Sequence, residues 1–145
     1  MKRSLIREHI FVLVFMTEFN SPEEMPDKVR LYMESLEKPA DDASREEIEE
    51  KFKRIEERIP KIDVLIEAHS DKWTVQRMGK VELSILRLAV YELLFDETVP
   101  EKVAINEAVE LAKKYGQDNA GSFVNGILAG IIKDNDGRNK ALEGE

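Results

Sequence analysis

The sequence predicts an all-α protein with seven helices, and three observations support this fold class. Apolar residues recur at helical spacing along most of the chain. Residues typical of helix starts and stops separate these stretches. Only seven Gly and five Pro occur in 145 residues, and no stretch indicates a strand convincingly. With 42% hydrophobic and 36% charged residues, the composition is typical of a globular, helix-rich protein.

The first predicted helix covers residues 3 to 19. Ile6, Ile10 and Leu13 follow one helical face, while Phe11 and Val14 lie on another. We therefore expect this helix to be central and buried on more than one side. Its apolar run, IFVLVFM, is far shorter than the roughly 20 residues that cross a bilayer, and no cleavage site of a signal peptide follows it.

The second and third helices are predicted from their starts and apolar stripes. Ser21 before Pro22 is typical of a helix start, and Pro39 ends the second helix. In the third, Ser44 and Glu47 have the spacing of a capping box. Its inward face is predicted to contain Ile48, Phe52, Ile55 and Ile59.

Pro60 is expected to start a fourth helix, whose inward face would extend to Trp73. Gly79 then separates it from a fifth helix, residues 80 to 95, which is apolar almost all round and should be the most buried. The sixth begins near Pro100 and ends before Gly116. The seventh runs from about residue 118 to 133, and residues 136–145 are expected to form a flexible tail.

Charge and composition exclude several classes of function. The net charge of -8 disfavours a general nucleic-acid coat, yet residues 1–17 contain three basic residues against one acidic residue. Cysteine is absent, and the two histidines lie sixty residues apart, so we expect no metal site. The sequence also lacks phosphate-binding glycine loops and hydrolase motifs. We therefore expect neither a cofactor nor catalysis.

Four polar residues interrupt the apolar helices. Glu92 and Glu107 suggest either catalysis or a buried partner, and Arg87 is available as that partner. We predict that one of the two carboxylates pairs with Arg87 where the last three helices meet, and that Asn106 binds a neighbouring backbone group. An unpaired buried charge would be costly, so the structural interpretation is favoured over catalysis.

Phe123 follows the polar loop GQDNAGS. It could be a core residue, or it could stack on an unpaired base. If this loop and the basic N-terminal end are adjacent, together they would form a site for single-stranded RNA.

Two segments carry a resemblance to a known family. The stretch ILRLAVYELLFDETVPEKVAINEAVELAKKYG, followed by FVNGIL, closely resembles the NusB family of bacterial transcription antitermination factors. Arg3 and Arg7, in KRSLIR before a long apolar helix, match the start of that family. The resemblance covers nearly the whole chain and is strongest from residue 79 to 128.

The resemblance implies a fold of two three-helix subdomains packed with a long N-terminal helix. It implies one RNA-binding domain at residues 1–135, with subdomains at about 1–59 and 60–135. It also implies a function without catalysis, in which the protein and the ribosomal protein NusE bind boxA-type RNA. Together they would support processive transcription of ribosomal RNA operons within the RNA polymerase antitermination complex. The resemblance implies RNA contacts at Lys2, Arg3, Arg7, Phe15 and Phe123, and NusE contacts at Arg77, Lys80 and Glu82.

Two other functions fit the sequence. One is a helical scaffold that binds only proteins, which the excess of acidic residues would suit. The other is an accessory domain of an RNA methyltransferase, which the missing cofactor loop and the end of the chain soon after the last helix disfavour. We expect a cytoplasmic protein without a membrane segment, and family analogy adds a possible homodimer.

Overall fold

The computed structural model describes residues 1–135, and the expected tail at 136–145 lies outside the described residues. These residues form six α-helices and one 3-10 turn, with no strand among them. The all-α class is therefore confirmed, although the predicted number of helices is wrong by one. The elements are α1 (Arg3–Met16), α2 (Met25–Glu34), α3 (Asp42–Ala68), the 3-10 turn (Val75–Arg77), α4 (Lys80–Phe95), α5 (Glu101–Tyr115) and α6 (Ala120–Asp134).

The predicted boundary between the third and fourth helices does not exist, because Pro60 lies inside α3. A proline in a helix interior removes one hydrogen bond and costs about 3 kcal/mol or more. Ile55, Ile62 and Ile66 are fully buried on both sides of this proline, at spacings of seven and four residues that keep them on one helical face. Burial of each contributes roughly 1.5–3 kcal/mol, which is enough to keep the helix continuous.

Two predicted helix starts are also wrong. At α2, Ser21 belongs to a preceding turn, in which its backbone N–H donates to Glu24 Oε1 at 2.8 Å, and the helix begins at Met25. At α3, Asp41 is the capping residue, because its carboxylate accepts from Ser44 N at 3.2 Å and from Ser44 Oγ at 2.7 Å. A carboxylate three residues upstream thus replaces the predicted Ser44 cap.

The chain divides into two compact units, and the division lies within α3. The first unit is Met1–Glu57. Its core consists of apolar side chains from three helices: Ile6, Ile10, Phe11, Leu13 and Val14 of α1, Met25, Val29 and Met33 of α2, and Ile48, Phe52 and Ile55 of α3. The central apolar face predicted for α1 is therefore buried.

The second unit begins at Arg58 and contains α4, α5 and α6, which pack on one another. Helix α4 has the predicted bounds and is buried at every residue from Leu83 to Leu94. Helix α5 also has its predicted limits, with Pro100 as N-cap and Gly116 as C-cap. The candidate site lies at the start of α4 and just after the end of α5.

Candidate functional site

An open depression of about 350 Å³ lies in the second unit, where the start of α4 meets the start of α6. It is lined by Trp73, Arg77, Met78, Gly79, Glu82, Gln117, Asp118, Asn119, Ala120 and Phe123. The structure thus brings together three residues that the resemblance assigned to different partners. Phe123 was predicted to contact RNA, whereas Arg77 and Glu82 were predicted to contact a protein.

The loop between α5 and α6 forms one wall of this depression. Asn119 precedes α6 with φ of 69°, in the left-handed region, and its carbonyl accepts a hydrogen bond from the Phe123 N–H at 3.1 Å. Asparagine is one of the few residues that adopt this conformation at low cost. Gln117 and Asp118 of this loop line the depression, as does Phe123 of α6.

Two aromatic side chains line the same depression. Phe123 is half-buried in the first turn of α6, and Trp73 is 53% exposed. Such rings can stack on unpaired bases. The predicted inward position of Trp73 is wrong because α3 ends at Ala68. Trp73 then lies in a turn closed by Ser70, whose Oγ donates to the Trp73 carbonyl at 2.6 Å.

The predicted basic residues lie at the start of α1, in the first unit. Lys2 and Arg3 are exposed, but Arg3 forms a salt bridge with Glu47 of α3. The hydrogen bond from this guanidinium to Glu47 raises the pKa of Arg3 above its usual value. Arg7 is only 9% exposed and makes contacts within the protein. Lys2 and Arg3 are therefore the more accessible cations of the three.

Two further candidates have intermediate or high exposure. Phe15 is half-buried, and its ring centroid lies 5.1 Å from that of Phe19. Lys80, the first residue of α4, is exposed and makes contacts within the protein. Because Phe15 belongs to the first unit and Phe123 to the second, their predicted joint role in RNA binding stays a prediction.

Arg87 has a carboxylate partner, Asp63, that was not predicted from the sequence. Its Nε and Nη2 donate to the two oxygens of Asp63 at 2.9 Å and 2.7 Å, which is a bidentate ion pair. The signal was missed because Asp63 lies 24 residues earlier, on a helix whose polar positions look solvent-exposed. Glu92 is 1% exposed and Glu107 half-buried, and both make contacts within the protein. Their predicted pairing with Arg87 stays a prediction.

The expected interior position of Asn106 is wrong, because this residue is exposed. The buried residues of α5 are Ala104, Ala108, Leu111 and Ala112. Asn106 lies two positions from both Ala104 and Ala108, which places it on the opposite side of the helix. It therefore belongs to the solvated face.

Both histidines are bound to protein groups. His9 Nδ1 lies 2.7 Å from the Tyr32 hydroxyl, and burial lowers the pKa of His9 despite the opposing effect of Glu8. His69 Nε2 lies 2.6 Å from Asp134 Oδ2. Among residues 1–135, no group of three or more metal-binding side chains is found. No helix in that range is both long and apolar enough to cross a membrane.

The helical fold and this aromatic and charged depression define a small all-α protein with a candidate binding site. The model of the NusB family matches residues 4–133. The chain therefore belongs to the NusB family.

Relatives and solved structures support this assignment over most of the chain. The transcription antitermination protein NusB of Lachnoclostridium phytofermentans is 48% identical over 132 residues, which are 91% of this chain and 99% of the relative. The structure of Thermotoga maritima NusB matches with a TM-score of 0.81 at 37% identity, covering 92% of each chain. A crystal structure of the antitermination factors NusB and NusE with double-stranded RNA matches with a TM-score of 0.74 at 29% identity, covering 91% of this chain and 96% of that one.

Proposed function

We propose that this chain is a transcription antitermination factor that binds boxA-type single-stranded RNA together with NusE. In this role it supports processive transcription of ribosomal RNA operons, within the RNA polymerase antitermination complex and in the cytoplasm. It acts by binding, without catalysis. Support comes from the name of the relatives, transcription antitermination protein, and from the related NusB that was crystallised with NusE and RNA.

The observation that carries this proposal is the composition of the depression in the second unit. Two exposed or half-exposed rings, Trp73 and Phe123, line it together with Arg77 and Glu82. Sequence-specific RNA recognition relies on aromatic stacking with unpaired bases, and charged side chains set the specificity of a protein contact. One depression therefore contains the chemistry needed for both partners, with Lys80 beside it at the start of α4.

The N-terminal cations supply the attraction to phosphate. Each phosphate neutralised on a single strand contributes about -0.7 to the slope of log K against log salt concentration. With Arg3 held by Glu47 and Arg7 largely buried, few cations are available for this contact. We therefore expect weak binding of RNA alone and much tighter binding with NusE, because two linked weak contacts give avidity.

The test is the binding of a fluorescent boxA-like RNA over a salt series, with and without NusE. We expect specific binding that NusE strengthens. The variant Arg3→Glu should weaken binding and reduce the salt slope by about 0.7. Arg30→Glu is a matched control, because Arg30 is an exposed arginine of α2 outside the proposed site.

The outcomes separate the proposal from its rivals. Binding of NusE without any specific RNA binding, in either arm, would identify a protein-binding scaffold instead. Equal losses in Arg3→Glu and Arg30→Glu would mean that only net charge matters and that the N-terminal contact is misplaced.

A further inference from the structure

The carboxylate of Glu82 lies between two glycines in the depression. A Cβ atom built on Gly79 would meet Glu82 Oε1 at 2.1 Å, and one built on Gly116 would meet Glu82 Oε2 at 2.8 Å. Real Cβ atoms essentially never approach an oxygen this closely. The observed position of the carboxylate therefore requires glycine at Gly79 and a shift of neighbouring atoms for any other residue at Gly116.

Gly79 and Gly116 precede α4 and follow α5, respectively. Glu82 is the third residue of α4 and reaches back over the residue before the helix, as a glutamate does in a capping box. Within residues 1–135, however, its carboxylate has no hydrogen-bond or ion-pair partner. As far as residues 1–135 are concerned, its oxygens can accept from donors outside the chain.

We propose that Gly79 and Gly116 are positioning residues: their missing side chains let the Glu82 carboxylate lie in the depression, where it accepts from hydrogen-bond donors of NusE. This inference rests on the proposed function, in which Glu82 contacts NusE. The glycines do not touch the partner. Their missing side chains leave the space that the carboxylate occupies, so the carboxylate reaches this position without displacing a neighbouring group.

Gly79 gives the cleaner test of the two. Among the described residues other than its two chain neighbours, the added Cβ would meet only atoms of the Glu82 side chain within 4 Å. Its φ of -58° and ψ of 137° are accessible to alanine. Gly79→Ala should therefore move the carboxylate without straining the backbone. At Gly116 the added Cβ would also meet Ala112 O at 2.8 Å and Ala120 Cβ at 2.6 Å, so that Gly116→Ala should also destabilise the fold.

The experiment is a double-mutant cycle on the full chain, with the dissociation constant for purified NusE measured by titration calorimetry. Glu82→Ala should weaken binding by about tenfold to a hundredfold, as expected for hydrogen bonds to a charged acceptor. Gly79→Ala should weaken binding to a similar extent with an unchanged melting temperature. In the Glu82→Ala background, Gly79→Ala should have almost no additional effect.

Two further variants control for folding and for glycine replacement in general. Gly79→Ser adds a Cβ together with a hydroxyl that can cap α4, so that the fold is maintained while Glu82 is still displaced. Gly126→Ala adds a Cβ that, beyond its own helix backbone, meets no atom of the described residues within 4 Å, so this variant should bind NusE as the unmodified chain does.

The possible results distinguish this inference from the proposed function. If Glu82→Ala binds NusE normally, the assigned partner contact is wrong and the inference fails with it. If Glu82→Ala weakens binding but Gly79→Ala and Gly79→Ser do not, only the positioning role is refuted. Additive losses in the double variant would also refute it, because Gly79 would then act independently of Glu82.

Discussion

Replacing Asp63 by alanine would remove one partner of the ion pair with Arg87 and leave the other charge inside the protein. The side chains of Arg87 and Asp63 are 6% and 18% exposed. Removal of one partner from a buried pair costs about 3–5 kcal/mol. Because solvent reaches Asp63 in part, we expect the lower end of this range, about 3 kcal/mol.

This loss should be visible as a fall in melting temperature. For a chain of this length the entropy of unfolding is roughly 0.3 kcal/mol/K, so a loss of 3 kcal/mol lowers the melting temperature by about 10 °C. The assay is thermal unfolding followed by circular dichroism. Charge reversal in Arg87→Glu should have at least as large an effect, because it places two carboxylates together.

Two controls test the cause. Glu34→Ala removes a partner of Arg30 at the surface, where both side chains are more than half exposed, and should cost less than about 0.5 kcal/mol. The double variant Asp63→Ala with Arg87→Met removes both charges and should recover most of the lost stability. An Asp63→Ala chain that melts within about 2 °C of the unmodified chain would refute this reasoning.

Three other predictions concern an aromatic ring, a salt bridge and a half-buried histidine. Phe123→Ala should weaken RNA binding by about tenfold through lost stacking, whereas Phe123→Tyr should retain it; equal losses in fluorescence titrations would argue against stacking. Glu47→Gln should strengthen RNA binding up to a few-fold, because it releases Arg3 from an exposed pair worth at most about 1 kcal/mol; unchanged affinity would show that Arg3 does not contact RNA. Burial lowers the pKa of His9 from its ordinary 6.5, so the unfolded chain binds the proton first, and stability should be lost as pH falls from about 6.5. His9→Leu should reduce the difference in melting temperature between pH about 7.5 and about 5.5, and an unchanged difference would contradict this.

The sequence predicts elements best where local signals agree. Pro100 and Gly116 were predicted to limit α5, and they are its N-cap and C-cap. The apolar character of α4 likewise predicted the most buried helix. At Pro60 the local signal predicted a break, but burial of Ile62 and Ile66 beyond it keeps α3 continuous. At this position the local stop signal is overridden, because the residues after Pro60 continue the same buried face.

Only the tertiary structure shows which residues form the candidate site. The sequence indicates Phe123 because it follows a polar loop, and family resemblance indicates Glu82. Trp73 was predicted to lie on the inward face of a helix. Only the folded chain shows that all three line one depression. Asp63 was missed for a similar reason, since its pairing with Arg87 joins residues 24 positions apart.

The sequence by itself determined the all-α class, the family and the limits of α4 and α5, because helical periodicity and capping depend on residues within a few positions of one another. The tertiary structure decided that Asp63 pairs with Arg87, which side of α5 is solvated and how Glu82 lies between Gly79 and Gly116. These features depend on distances between atoms that are far apart along the chain, and such distances exist only once the helices have packed.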